Sequence, residues 1–291
     1  MRPVTRDGLV RPLVRVTRAE VEGYLRARNI AWREDASNCN LRFDRNRIRH
    51  GLLPSLAKDW NPALIDTLAG MASVAADEEE YWRGEVDRLA ADLLAKEPPA
   101  VVADATRLSA LPRALSRRLI RRAIELVKGD LLSIDVPHVE SVLALLSKCD
   151  GSGRVQIPGL DIMRSFEWVR FAPAGSYARP EFTVAIAAPG RYQFPGGEIE
   201  IAGDVAGTLE LRNWQPGDAY QPAGAPSPRK LKEMFQDARI PLWKRAGWPV
   251  LTAGGRIVWA ARFGPAPDCP AEVSFAGLYP PWYPGAHRTA G

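Results

Sequence analysis

A run of apolar residues between two proline signals constrains this chain more than any other feature. Asn61-Pro62 reads as a helix start, an N-cap side chain followed by proline where a missing N–H costs nothing. Leu64, Leu68, Met71, Ala75, Trp82, Val86, Leu89 and Leu93 then recur at spacings of three, four or seven. Asp77 to Glu80 fall on or near the wet side, and Pro98-Pro99 ends the run. A helix of about nine turns reaching Ala95 is expected. The 291 residues leave room for one large domain or two to three smaller ones.

Ahead of that helix the order reads strand, helix, strand. Leu9 to Val16 is short and apolar, and Ile30-Ala31-Trp32 has the look of a second buried strand. Between them Thr17 and Glu20 form a capping box, and Asn29 can close the helix in the left-handed conformation. Asp35-Ala36-Ser37-Asn38 favours a turn, because each polar side chain can bond nearby backbone. Asp44 is the expected N-cap of a helix carrying Arg45 and Arg49 on one face and Ile48, Leu52 and Leu56 on another. Such a fragment has too few strands to close a sheet. It reads as the end of a domain.

Beyond Pro99, Val101 to Ala103 is a short strand. Ser109 is read as the cap of a helix with Leu111, Leu115, Leu119 and Ala123 on one stripe, and Asp135 starts another with Val139, Leu143 and Leu146 inward. After Gly151 the texture changes: the 24 glycines and 25 prolines are concentrated there, and the segments alternate. Arg154–Ile157, Asp161–Phe166 and Trp168–Phe171 form a meander, followed by strands at 182–187, 192–194, 198–201 and 209–212. Ser227-Pro228 is expected to open a short helix with Leu231, Met234 and Phe235 inward, stopped by Ile240-Pro241. Val250 and Ile257 belong to a hairpin turning at Gly254-Gly255. The tail from Leu278 is expected to be disordered.

Several function classes drop out. Cys39, Cys149 and Cys269 are isolated and odd in number, and His50, His138 and His287 are scattered, so no zinc spacing exists and a reducing cytoplasm is favoured. No apolar run is long enough to span a membrane, and Arg2, Arg6, Asp7, Arg11 and Arg15 interrupt any signal-peptide core. No P-loop, dinucleotide fingerprint, zincin or nucleophile-elbow motif occurs. His50 and His138 read as structural, and Trp32, Trp82, Trp214, Trp243, Trp248 and Trp259 as core or near-core residues. The charge of +5 is modest, but its clustering at 42–49, 113–122 and 229–245 points to a polyanion. Arg113, Arg117 and Arg121 form a stripe at i,i+4, and Arg229, Lys230 and Lys232 a dense edge. Each cluster also reads as an ordinary solvated helix face.

Two ordered blocks of residues add a resemblance. Leu9-Val10-Arg11-Pro12-Leu13, Arg18-Ala19-Glu20, Glu34 to Asn38 and Phe43 to His50 resemble the closing part of the ATPase domain of the tRNA(Ile)-lysidine synthase family. Arg229 to Lys232, Phe235, Ile240-Pro241, Arg245, Pro249 to Leu251 and Ile257 to Trp259 resemble its C-terminal domain. The resemblance implies a multi-domain α+β chain in four parts. Residues 1–60 would be an α/β remnant of an ATP-pyrophosphatase-like (PP-loop) domain. Residues 61–175 would be a helical linking domain ending in a small β-meander, residues 176–277 a compact α+β tRNA-binding domain, and residues 278–291 a tail.

The implied reaction is ATP-dependent ligation of free L-lysine to C2 of the wobble cytidine of the tRNA(Ile) anticodon, in the cytoplasm. The family's SGGxDS phosphate loop does not occur in this sequence. ATP and Mg2+ are therefore expected to belong to the complete family enzyme, with no motif here to bind them and no activity expected of this chain alone. A non-catalytic tRNA-binding module, or one subunit of a split enzyme, is the alternative, and a homodimer is left open. By resemblance Arg45, Asn46 and Arg49 stand at the active-site rim, against a structural role holding the turn of Asp35, Ser37 and Asn38 by salt bridge. Those three shape the turn. Arg229, Lys230 and Lys232 would meet the acceptor stem and Arg245 would also bind tRNA, with Arg113, Arg117 and Arg121 a further face for RNA.

Overall fold

The computed structural model describes residues 4, 8–14, 16–33, 35–148, 151–176, 181–203 and 207–277. Residues 278–291, expected to be a disordered tail, lie outside them. The chain divides into two compact units, 1–81 and 82–291.

The first unit is helical. α1 (Arg18–Ala27) starts at the expected capping box, with Thr17 and Glu20 bonding each other's backbone N–H, and Asn29 follows it at φ 53. A 3-10 turn (Ala36–Cys39) leads to α2 (Asp44–Arg47), a π-helical turn (Ile48–Leu52) and α3 (Leu53–Asp59). Phe43, not Asp44, occupies the N-cap position; Asp44 lies in the first turn, where a carboxylate still suits the helix dipole. The expected strands at 9–16 and 30–32 do not form. Val4 and Val10 make one isolated bridge, and residues 30–32 have no regular structure. A strand without a laddered partner is not stable. Trp32, expected inside, is exposed.

α4 (Leu64–Leu93) begins as Asn61 Oδ1 accepts from the Ala63 N–H, and ends two residues before Ala95. There the chain switches to β1 (Leu94–Glu97), which turns through the cis Pro98-Pro99 bond into β2 (Ala100–Asp104). α5 (Ala105–Ala110) is capped by Asp104, which accepts from Thr106 and Arg107 N–H groups, so Ser109 caps nothing. α6 (Arg113–Lys128) closes on Gly129 at φ 89, a left-handed position that costs glycine little. α7 (Val136–Leu146) starts at a capping box of Asp135 and His138. The meander follows as β3 (Ser152–Ile157), β4 (Leu160–Ser165) and β5 (Trp168–Pro173), giving one antiparallel sheet in the order β1-β2-β5-β4-β3. Leu119, Ile120, Ile124, Val142 and Leu145 pack with Ile162, Val169 and Phe171 in a single core. Each such side chain contributes about 1.5–3 kcal/mol on burial.

A second lobe has its own core. β6 (Thr183–Ile186), β7 (Gly190–Phe194), β8 (Gly197–Ala202) and β9 (Leu209–Asn213) come first. β10 (Ala219–Tyr220) pairs with β11 (Arg229–Lys230), and α8 (Leu231–Asp237) and α9 (Leu242–Arg245) follow. β12 (Pro249–Ala253) and β13 (Arg256–Ala260) form the expected hairpin, with Gly254 and Gly255 both at positive φ. β14 (Gly264–Pro265) and β15 (Glu272–Gly277) complete sheets ordered β14-β13-β12-β9-β6 and β15-β8-β7. Trp248, Leu211, Val250 and Phe235 are fully buried in its core. The short helix does not open at Ser227-Pro228: Arg229 and Lys230 are extended, because they are paired to Tyr220 and Ala219.

Candidate nucleic-acid interface

In the first unit the polar turn is built from inside. Asp35 accepts the Ser37 backbone N–H at 2.8 Å, and that bond holds its carboxyl below the ordinary range. The Asn46 amide, almost fully buried, donates to the carbonyls of Ser37 (2.8 Å) and Asn40 (2.9 Å). His50 Nε2 lies 3.0 Å from the Asn38 carbonyl. Asn46, expected beside the arginines at a reactive rim, therefore has its donors committed to the turn. The turn is clamped by this neutral amide and not by a salt bridge from Arg45 or Arg49. Arg47 pairs with Asp44, while Arg45 and Arg49 are exposed with no carboxylate partner among the described residues.

The edge of the second lobe is set by the β10–β11 pair. Its register places Lys230 opposite Ala219, and the Leu231 N–H donates to the Asp218 carbonyl at 2.9 Å. Leu231 enters the core, so Lys230 at the N-cap position and Lys232 in the first helical turn stay exposed. Neither meets a carboxylate among the described residues. Arg229 does: Asp237 lies 2.6 Å away and raises the guanidinium pKa through that hydrogen bond. Tyr220 is buried and donates to the Gly264 carbonyl, and burial pushes its phenol up. Arg245 is misplaced by sequence reasoning. It is buried, its Nε donates to the Ile240 carbonyl at 2.8 Å, and its guanidinium lies beside the Phe166 and Phe235 rings. A cation so enclosed offers nothing to a phosphate.

The arginine stripe of α6 is largely neutralised. Arg113 and Arg117 both bond Glu140 of α7, and the Arg117 bond is the first cause of that carboxyl lying below its ordinary range. Arg118 lies 5.4 Å from the Trp82 ring, and Arg122 reaches Glu125 and Asp87. Only Arg121 of the stripe is exposed without a carboxylate partner among the described residues. Sequence reasoning missed Glu140. Its position on α7 was readable, but no periodicity says which neighbouring helix it faces.

Comparison with known proteins gives three family matches: residues 2–56 to a PP-loop domain, 104–169 to a TilS substrate binding domain, and 209–277 to a TilS substrate C-terminal domain. The first match agrees with the reading of residues 1–60 as part of a PP-loop domain, and it leaves the expectation that no motif here serves ATP without support. A tRNA(Ile)-lysidine synthase of Solibacter usitatus is 48% identical over 91% of the chain and 66% of its own length. Those of Geobacter sulfurreducens and Symbiobacterium thermophilum are 35% and 30% identical over 89% and 88% of the chain. The chain spans 60% and 61% of their lengths. A solved structure described as a TILS C-terminal domain aligns in full with 35% of the chain, at 20% identity and a TM-score of 0.29.

Proposed function

This chain belongs to the tRNA(Ile)-lysidine synthase family, and from that premise we propose that it grips the RNA substrate of an ATP-dependent ligase. The reaction in this reading joins the ε-amine of free L-lysine to C2 of the wobble cytidine of tRNA(Ile), in the cytoplasm. Residues 1–60 belong to the PP-loop domain, 61–175 link, and 176–277 bind tRNA; the three family matches fall inside these spans, which supports the division. Among the described residues no three His, Cys, Asp or Glu side chains converge to hold a metal ion. No SGGxDS loop is present in the sequence to cradle phosphates. The match of residues 2–56 to a PP-loop domain supports ATP as the cofactor of the family's reaction, with Mg2+ its companion in this reading. No helix among the described residues is long and apolar enough to cross a membrane.

One observation carries the reading: Lys230 and Lys232 stand exposed and uncommitted at the edge of the C-terminal lobe. Basic residues at a helix start oppose the helix dipole, a small cost that polyanion binding accounts for. Arg121 is a second contact of the same kind, and Arg45 and Arg49 serve the rim. Changing Lys230 and Lys232 to Ala should weaken tRNA(Ile) binding and reduce the slope of log K against log salt by about one to two. Unchanged affinity with an unchanged slope would reduce the pair to surface decoration. A lysine-transfer assay on the 291-residue chain separates ligase from binding module.

A further inference from the structure

The proposed grip draws its cations from two lobes of the second unit, Arg121 from one and Lys230 and Lys232 from the other. Each lobe has a separate core. Two separate lobes hold one RNA tightly only if their spacing is fixed before binding, since ordering them on contact costs affinity.

Residues 239–245 hook the second lobe onto the first. The Leu242 N–H donates to Ser165 Oγ at 3.1 Å, and Trp243 packs against Val102 and Trp168. Lys244 meets Glu97 with both side chains largely sheltered, at 16% and 22% exposure. Arg239 donates to Glu167 at 2.9 Å. The Arg239 guanidinium lies 4.9 Å from the Phe166 ring centre, and that of Arg245 lies 5.7 Å from the same ring. Two features are costly. Phe166 (φ 57) and Arg239 (φ 51) both occupy the left-handed region that side chains disfavour. The buried Trp243 indole N–H has no acceptor among the described residues. Strain of this kind persists where the surroundings over-determine a geometry.

We propose that this hook is a positioning device, presetting Arg121 against Lys230 and Lys232 so that the two lobes meet one RNA as a single surface. Glu97 and Lys244 are positioning residues that touch no RNA. The inference rests on the RNA-binding reading, but the hook has a readout of its own.

The test reverses one ion pair. Glu97→Lys adds a cation, so electrostatics alone predicts tighter tRNA(Ile) binding. The hook predicts the opposite: weaker binding on the order of tenfold, as if one molecule in ten kept the competent arrangement. The salt slope should hold, because no phosphate contact is lost. Lys244→Glu should act alike, and the double swap should restore affinity. Amide exchange at 165–168 and 242–244 should quicken in each single variant and slow again in the double. Tighter binding by Glu97→Lys, or a double variant no better than the singles, overturns the proposal. If charge reversal disrupts folding, Ser165→Ala removes only the bond to Leu242. Faster exchange at 242–244 and weaker binding at unchanged slope are expected of it, and no change in either overturns the hook. Should wild-type tRNA binding fail while the exchange pattern holds, the RNA reading falls and the hook stands.

Discussion

The first 81 residues and the remainder of the chain place their apolar side chains in opposite ways. Before residue 82, Asn46 is the sole buried residue among those described, whereas Leu13, Trp32, Phe43, Trp60, Leu68 and Met71 are exposed. Beyond it, only Leu132 and Val136 are large apolar residues left in water among those described. α1 is held by its capping box, by Glu22 between Arg18 and Arg26, and by Arg28 over Tyr24. Local pairs of that kind contribute tenths of a kcal/mol each, and a ten-residue helix is marginal without packing. α6 and α7 instead bury a full apolar face against a sheet. The same secondary structure can thus rest on local bonds in one region and on a core in the other.

The largest expected effect is in amide exchange. Val102, Phe171, Leu211 and Val250 should be protected at least about a thousandfold more than Tyr24 and Leu25, because core strands open only with the global transition. Equal protection in α1 would break the contrast.

A mutational pair sharpens it. Phe171→Ala, in the first core of the second unit, should cost about 3–5 kcal/mol in chemical denaturation. Leu68→Ala, on the exposed stretch of α4, should stay within about 0.5 kcal/mol. A loss of more than about 2 kcal/mol at Leu68 would show that this face is covered in solution.

The smallest effect concerns pH. Asp35 is depressed by the Ser37 N–H, so its contribution to the turn is present above its unfolded pKa and is lost as pH falls through the lower folded value. The turn at 36–39 should persist from pH 7 to 5 and loosen only below about 4. A carboxyl carbon titration of Asp35 with its midpoint at or above the ordinary value would contradict the bond.

What the sequence makes legible follows the range of the forces involved. Thr17 with Glu20, Asp135 at the start of α7, and Gly254-Gly255 were readable because caps and tight turns are decided within four residues. The meander was readable because alternation needs only a nearby partner. β1 was hidden, since Leu94 and Ala95 continue the helical register and only pairing with Ala103 and Val102 draws them into a sheet. β15 joins β8 across seventy to eighty residues and leaves no local trace. At the candidate interface the cations were legible and their acids were not. Arg113 and Arg117 look like a phosphate face until Glu140 arrives, and Arg245 looks exposed until the Phe166 and Phe235 rings close on it. Lys230 and Lys232 remained uncommitted, though β11 rather than a helix presents the first of them.

Arg164 on β4 ends α7 from outside. Its buried guanidinium donates to the carbonyls of Leu145, Leu146 and Lys148, and its Nε to that of Phe166. Its charge suits the negative end of the helix dipole. The three carbonyls at the helix end are sixteen to nineteen residues distant in sequence, so until the strand docks they have only water in place of this guanidinium. Helix termination and sheet assembly become one event on the folding path. A neutral residue at position 164 would leave the helix end frayed and uncouple the two steps, which a folding-rate measurement would register as a slowed approach to the native state.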